Sequence, residues 1–198
     1  MEKWDGTILN INATVNKLGD KCRNILAVHA LSGCDTVSYP FGKGKISAFK
    51  ILENQDLSHI HKIGDVNATQ DELVEASEHF FLLLYGQKDA LDINHARCKI
   101  FEKKKKKPSL KALPPTKANL LQHALRAHLQ VILWMSADQK NPPEMTIDIT
   151  KFGWSTKHGI MPVIAQQLIA PEALLDITSC GCRSEGKACS LKRCKCHK

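Results

Sequence analysis

The chain is poor in aromatic residues, in long apolar runs and in nucleotide-binding glycine motifs. Aromatic residues make up 6% of it, with three Trp, two Tyr and six Phe, which argues against a protein that reads single strands by stacking bases. No apolar run approaches the ~18 residues that a membrane-spanning helix needs. Residues 1–6 lack the apolar segment of a secretory signal, and the G-x-x-x-x-G-K-[ST] spacing of a P-loop is missing. These absences predict a soluble intracellular chain.

Cysteine is scarce over most of the chain and dense at its end. Five of the eight cysteines lie in the last nineteen residues, spaced C-x-C-x6-C-x4-C-x-C. Residues i and i+2 of an extended chain point to the same side, so each C-x-C pair can converge on one ion. A structural zinc takes four such ligands in a tetrahedron, whereas a disulfide across a single residue would be strained. We therefore predict about one zinc ion, in which the two C-x-C pairs converge and Cys189 and His197 are spare ligands. The predicted zinc-binding cysteines are Cys180, Cys182, Cys189, Cys194 and Cys196. The alternatives are unrelated thiols or the disulfides of a secreted protein.

The positive charge of the chain is concentrated at the same end. The formal net charge is +8 and the isoelectric point about 9.1. The last 48 residues hold eight Lys or Arg against three acids, which gives +5. A basic stretch of this kind favours an acidic partner. The tail residues that we predict to contact nucleic acid are Arg183, Lys187, Lys192, Arg193 and Lys195.

The cysteine pattern resembles the first half of a tesmin-type CXC domain. The resemblance rests on the C-x-C pair, then Cys189, then Arg-Cys-Lys-Cys. That family binds DNA through a cysteine- and lysine-rich module that holds a small zinc cluster. Here the interval between Cys182 and Cys189 is longer than in the family, and the family's second set of cysteines is absent from the sequence. The resemblance therefore implies DNA binding with one zinc ion rather than a full cluster.

Helical periodicity dominates the first half of the chain. Asp20 is predicted to cap a helix over residues 21–31, with Ile25, Leu26, Val28, His29 and Leu31 on or near its buried face. Thr69 followed by Glu72 is a capping-box pattern, and the apolar stripe after it ends near Gly86. Two helices are therefore predicted between residues 69 and 104.

The second half predicts one long helix and one short hairpin. Pro114-Pro115-Thr116 is typical of a helix start, and the helix is predicted to run to about Ala137. Aromatic and β-branched residues around the glycines of residues 152–163 indicate a short β-hairpin. The predicted fold is mainly α, with a helix-hairpin-helix-like segment, this hairpin and a small cysteine-rich zinc-binding tail. Cys22, Cys34 and Cys98 are predicted to be plain core thiols. The paired histidines are predicted to be core or surface side chains rather than metal ligands.

A glycine-rich turn separates two predicted helices near residue 43. Gly42 and Gly44 allow backbone N–H groups to face outward, and the turn leads into a helix N-terminus, which suits a phosphate. The residues predicted to contact nucleic acid here are Gly42, Lys43, Gly44, Lys45 and Lys50. The alternative is a turn between helices in which the glycines serve geometry alone.

Three short segments surround this turn: Gly33-Cys-Asp35, Gly42-Lys-Gly-Lys45 and Ala48-Phe-Lys-Ile-Leu52. In this order they resemble the helix-hairpin-helix region of flap-endonuclease-type five-prime nucleases, which are PIN-like metal enzymes. In that family the Asp after Gly-Cys holds catalytic magnesium, and the glycine hairpin grips the DNA backbone. The resemblance implies that Asp35 is a vestigial magnesium ligand. A two-metal site needs several carboxylates, and the other nearby ones lie at unrelated spacing. We therefore expect no nuclease activity from this chain alone, and Mg²⁺ only if another chain completes the site.

A longer pattern covers about residues 20–198. His29 to Ser38, Leu113 to His123, Gly153-Trp154 and the cysteine tail occur in an order that resembles the C-terminal part of mobile-element-like animal proteins. Those proteins join a nuclease-like region to a CXC-like tail. The resemblance implies a transposon-derived protein with a helical nuclease-like region (1–104), a basic and proline-rich linker (105–117), a helix with a short hairpin (118–178) and a zinc tail (179–198).

The lysine run 103–107 has two interpretations, a nuclear import signal or phosphate-binding patch, and a solvated helix end. Together these features predict zinc-dependent binding of nucleic acid in the nucleus, directed mainly at the phosphate backbone. DNA is favoured over RNA only through the resemblances. The alternatives are a non-catalytic remnant of a metal-dependent nuclease and a structural zinc protein that binds other proteins. The sequence does not specify an oligomeric state.

Overall fold

The computed structural model describes Ile8 and residues 10–103, 109–140 and 147–168. Over these residues the protein is mainly helical with one small two-stranded antiparallel sheet, which confirms the mainly α character and the short β-hairpin of the predicted fold. The helices are α1 (Ile11–Leu18), α2 (Ile25–Leu31), α3 (Lys45–Asn54), α4 (Gln70–Leu84), α5 (Ile93–Lys103) and α6 (Lys117–Met135). The strands are β1 (Trp154–Ser155) and β2 (Met161–Pro162). Short 3₁₀ segments cover Gly19–Asn24, Ser58–Lys62, Leu110–Ala112 and Ile149–Phe152. All these elements belong to the first of two compact units, Met1–Ala165 and Gln166–Lys198.

The longest helix, α6, lies at the centre of the core. Both α2 and α4 pack against it. Its buried positions include Leu120, Ala127 and Val131, and α4 contributes Phe80 and Phe81, whose rings meet edge to face at 5.6 Å. Burying one large apolar side chain stabilises a fold by about 1.5–3 kcal/mol. Packing on α6, rather than helix propensity, therefore fixes where the shorter helices lie.

The start of α4 confirms the predicted capping box. The Thr69 hydroxyl accepts the Glu72 amide at 3.3 Å, and the Glu72 carboxylate accepts the Thr69 amide at 2.8 Å. Lys62 adds an ion pair to the same carboxylate at 2.7 Å. The hydrogen bond from Lys62 is the largest cause that lowers the pKa of Glu72 to about 2. The helix ends at Leu84, two residues before Gly86, as predicted.

The predicted long helix and hairpin are also present. Thr116 caps α6 by accepting the Asn119 amide at 3.3 Å. Trp154 pairs with Pro162 and Ser155 with Met161 in the antiparallel hairpin. Arg126 of α6 donates to the Gly153 carbonyl at 3.2 Å, which ties the hairpin to the core helix.

The predicted helix over residues 21–31 is wrong in its first half and in its cap. The chain is already in 3₁₀ conformation from Gly19, so Asp20 lies inside the first turn and makes no cap hydrogen bond. A cap residue needs a non-helical backbone, which this position lacks. Only residues 25–31 are α-helical, and of the predicted buried face Leu26 and His29 are exposed.

Several predicted features lie outside the described residues. They include all five predicted zinc ligands and all five predicted basic contacts of the tail, and residues 104–107 of the lysine run. Lys103 is the last residue of α5. Among the helices of the described ranges, none is long and apolar enough to cross a bilayer.

Candidate nucleic-acid interface

The segment between α2 and α3 contains two tight turns. In the first, the Cys34 amide donates to the Val37 carbonyl at 2.8 Å, and the Val37 amide donates back at 3.2 Å. Asp35 and Thr36 form the tip of this turn, and both are exposed. The Thr36 hydroxyl donates to the side-chain carbonyl of Gln130 on α6. The first turn is therefore anchored to the core helix, and the carboxylate of Asp35 is left at the surface.

The second turn is the predicted glycine-rich turn, residues 40–44, which is called the glycine hairpin or simply the hairpin below and is distinct from the β-hairpin formed by β1 and β2. The Lys43 amide donates to the Pro40 carbonyl at 3.1 Å, which closes a β-turn over residues 40–43. Gly42 has φ +70° at the third position of this turn, a left-handed conformation that favours glycine. A Cβ atom added at Gly42 or Gly44 would meet no other atom within 4 Å. The two glycines therefore leave the backbone of the hairpin open on its outer side.

Helix α3 begins at this hairpin without a side-chain cap. Its N-cap residue, Gly44, offers no acceptor, and the amides of Lys45, Ile46 and Ser47 have no partner within the part of the chain that the structure describes. Helix α2 continues a 3₁₀ segment, but each other helix has a side-chain oxygen on a first-turn amide, from Asn10, Thr69, Asp92 and Thr116. The open amides and the helix dipole make the start of α3 a site where an anion is stabilised.

Lys45, predicted to contact nucleic acid, is engaged within the fold. Its ammonium group donates to the His29 carbonyl at 2.5 Å, to the Ser32 hydroxyl at 3.0 Å and to the Gly33 carbonyl. These acceptors lie at the C-terminal end of α2, where a cation also complements the helix dipole. Burial lowers the pKa of Lys45 from its ordinary 10.5. Lys45 therefore joins the end of α2 to the start of α3.

Two lysines and two aromatic rings meet beside the hairpin. The Lys43 ammonium lies 5.2 Å from the centroid of the Tyr85 ring, and the Lys111 ammonium lies 4.5 Å from that of Phe41. Both distances are within the range of cation–π attraction. Sequence analysis missed Lys111, because a single lysine in a proline-rich stretch carries no signal of its own. The rings hold two cations next to the turn that precedes α3.

A buried histidine of α6 supports the same loop from the core. His123 Nε2 donates to the Leu31 carbonyl at 2.9 Å, and the Ser38 hydroxyl lies 3.4 Å from His123 Nδ1. Because a carbonyl only accepts, the proton sits on Nε2 and Nδ1 is left as an acceptor for Ser38. Burial is the main cause that lowers the pKa of His123 to about 4, and it outweighs the hydrogen bond to Leu31, which raises it. The ring is therefore neutral and fixes the loop in place.

The predicted contact Lys50 belongs to a different surface. It is exposed on α3 and lines a groove of about 460 Å³ between α2 and α3, together with Val28, Ile46 and Phe49. None of the residues in this groove belongs to the turn 40–43. The structure thus brings Lys43 and Lys111 together and leaves Lys50 outside their cluster.

The described residues hold no group of three or more His, Cys, Asp or Glu side chains that could bind a metal ion. Asp35 therefore has no partner carboxylates for magnesium within these ranges, and the donor set does not fit a two-metal nuclease. Cys22, Cys34 and Cys98 are free thiols, and Cys98 is exposed, so its predicted core position is wrong.

Comparisons with protein families, with curated proteins and with solved structures found no match to this chain. Its function is therefore argued from the hairpin, the helix start and the residues around them.

Proposed function

We propose that the protein binds nucleic acid through the phosphate backbone, with DNA as the first candidate. In this proposal α2, the loop 32–44 and α3 act as a helix-hairpin-helix-like unit, and the cysteine-rich basic tail adds a second contact. Binding of this kind depends on charge and backbone geometry, so it has weak sequence selectivity and a strong dependence on salt.

The observation that carries the proposal is the uncapped start of α3. A phosphate oxygen placed beyond Gly44 would accept from the amides of Lys45 and Ile46, which lack other partners in the described residues. The lysine before it, Lys43, has no carboxylate partner there. Backbone amides together with a lysine are the donors that proteins use to hold a phosphate without reading the base.

The surroundings of the hairpin hold it in a defined conformation before any ligand arrives. Lys45 fixes the end of α2, and His123 fixes Leu31 and Ser38. Lys111 brings a further cation to the Phe41 ring. A preformed site loses less conformational entropy on binding, which favours affinity.

The proposal assigns the tail a zinc ion and a set of phosphate contacts. The zinc would be held by four of the five thiolates Cys180, Cys182, Cys189, Cys194 and Cys196, which are the soft ligands that the ion prefers. The cations between them would offset the negative charge of such a site and face the DNA. Together with the lysine run 103–107, these cations support a nuclear location.

The first experiment compares the wild-type chain with Gly44→Asp in binding a fluorescent DNA duplex, followed by anisotropy. An aspartate at this position can accept the amides at the start of α3, and its charge repels phosphate. Since a hydrogen bond to a charged group contributes about 1.5–3 kcal/mol, we expect affinity to fall about tenfold or more.

A matched control introduces the same charge elsewhere. Gln70→Asp alters the first turn of α4, which its capping box already closes, so its affinity should fall much less. Lys43→Gln should lower the slope of log affinity against log salt by about one phosphate contact, whereas Lys157→Gln, on the β-hairpin, should not. If Gly44→Asp and Gln70→Asp lower the affinity for DNA equally, the start of α3 is not part of the interface.

Zinc in the tail is tested by metal analysis of the purified chain and of a Cys180→Ser, Cys196→Ser variant. About one zinc per chain, absent from the variant, is expected, together with weaker DNA binding by the variant. If the purified wild-type chain contains no zinc, and the wild-type chain and the variant bind DNA equally tightly, binding would be restricted to the glycine hairpin before α3.

A further inference from the structure

A cleft beside the hairpin concentrates the few aromatic residues of the chain. Its volume is about 240 Å³, and Tyr39, Phe41, Phe81 and Tyr85 line it. These are both tyrosines and two of the six phenylalanines of the whole sequence. Tyr39 is 78% exposed and Phe41 49% exposed, whereas Phe81 is buried. The cleft therefore has a wall of accessible rings and a closed apolar end.

Cations and further polar groups complete the cleft. Lys111 is part of its lining, and Lys43 reaches the ring of Tyr85. Ser38 and His123 add a hydroxyl and an imidazole to the lining. Because the Ser38 hydroxyl donates its hydrogen bond to His123 Nδ1, the Ser38 oxygen can still accept a hydrogen bond from a ligand.

We infer that this cleft takes a single unpaired nucleotide of a bound strand, with its base against Tyr39 and Phe41 and its phosphate near Lys111 and Lys43. The inference rests on the proposed function, to which it adds the substrate class. Pockets for drug-sized molecules run from about 300 to 1,000 Å³, so a cleft of about 240 Å³ is suited to something smaller, such as one base.

The combination of groups favours a nucleotide over an uncharged ligand. Aromatic side chains stack on any base because every base has a π-face, and basic residues beside them track the strand. Both lysines now lie over rings, where cation–π attraction holds them without a carboxylate partner in the described ranges. A phosphate is a stronger partner for an ammonium group than an aromatic face.

Two DNA probes of equal charge test the inference. Both are duplexes with a short single-stranded extension, and in the second the extension consists of abasic nucleotides. Since stacking on a protein ring strengthens binding by about a factor of ten for one base, the extension with bases should bind about tenfold tighter in anisotropy titrations. Phe41→Ala should abolish this difference, because it should weaken binding of the probe with bases much more than binding of the abasic probe.

Phe49→Ala is the matched control, because Phe49 is 39% exposed and lines the other groove. It should retain the tenfold preference. A 5-iodouracil in the extension should crosslink to the peptide that contains Tyr39 and Phe41. Equal affinities for the two probes, or displacement of the strand by a proline-rich peptide, would overturn the inference.

These outcomes separate the inference from the proposed function. If both probes bind equally and Gly44→Asp still weakens them, the hairpin binds phosphate and the cleft takes no base. If neither probe nor the blunt duplex binds at low salt, the proposed function fails as well.

Discussion

The loops that precede α3 and α4 have similar supports and different ends. Each is held by a buried histidine of α6: His123 contacts Leu31 and Ser38, and His128 Nδ1 accepts the Gly64 amide at 2.9 Å. The loop before α4 then closes its helix with the Thr69 capping box and the Lys62 ion pair. The loop before α3 ends at a glycine and leaves its helix open.

The start of α4 is closed by its own side chains, whereas the first amides of α3 are left available to a ligand. A side chain at position 44 would meet no steric obstacle, so a capping residue would fit there. Such a cap stabilises a helix by a few tenths of a kcal/mol relative to glycine. The chain forgoes this small gain at the one helix start that stands beside Lys43. We interpret the open end as a binding feature.

The largest expected effect contrasts Gly64 with Gly42. Gly64 has φ +107°, and a Cβ atom there would lie 2.3 Å from Val131 Cγ1. Gly64→Ala should therefore lower the free energy of unfolding by about 3 kcal/mol, from overpacking and backbone strain together. Gly42→Ala has strain but no clash, so its loss should be about 1 kcal/mol. Urea denaturation of both variants measures the contrast, and equal losses would contradict the view that one loop is packed and the other open.

The next effect is a loss of stability at low pH through the histidines of α6. Burial lowers the pKa of His128 below its ordinary 6.5 and that of His123 to about 4. Below pH 6.5 the histidines of the unfolded chain bind protons, whereas the buried rings of the folded protein stay neutral. The contribution of these rings to the free energy of unfolding is therefore fully present above pH 6.5 and is lost as the pH falls toward 4. The slope is at most about 1.4 kcal/mol per pH unit for each ring, which amounts to about 2–3 kcal/mol for His123.

Denaturation at pH 7, 5.5 and 4.5 measures this loss. His123→Gln removes the titrating group and should flatten part of the pH profile, and His128→Gln provides the same test at the other loop. A wild-type profile that runs parallel to that of His123→Gln would show that His123 does not titrate as stated.

The smallest effect concerns the two helix starts themselves. Thr69→Ala removes the cap of α4 and should cost about 1 kcal/mol of stability. Gly44→Asp adds a cap to α3 and should raise stability by a few tenths of a kcal/mol, although it weakens DNA binding. In thermal denaturation, Thr69→Ala should lower the melting temperature and Gly44→Asp should raise it. A destabilised Gly44→Asp would mean that the N-terminal amides of α3 cannot accept a side-chain cap.

The elements that were predicted correctly are those whose ends are set by residues close together in the sequence. The Thr69–Glu72 box, the Pro-Pro-Thr start of α6 and the hairpin at Trp154 all depend on residues within a few positions of one another. Asp20 failed because the 3₁₀ conformation from Gly19 onward displaced the helix start. Helix boundaries are sensitive to such neighbouring turns.

The candidate site was predictable only in part. The hairpin and its lysines follow from the Gly-Lys-Gly pattern. That Lys45 turns inward, and that Lys111 joins Lys43, depends on contacts between distant parts of the chain. The low aromatic content argued against base stacking, yet the fold places both tyrosines in one cleft. Amino-acid composition gives the number of aromatic rings but not their positions in the fold.

The hydrogen bonds of the two α6 histidines bear on how metal content should be interpreted. An imidazole coordinates an ion through an unprotonated nitrogen. In His123 and in His128 that nitrogen, Nδ1, is already an acceptor, and the proton resides on the opposite nitrogen. Neither ring can ligate zinc while the helical core is intact. Any zinc that copurifies with the folded protein is therefore not held by these two rings, and is to be sought first at the cysteines of the tail.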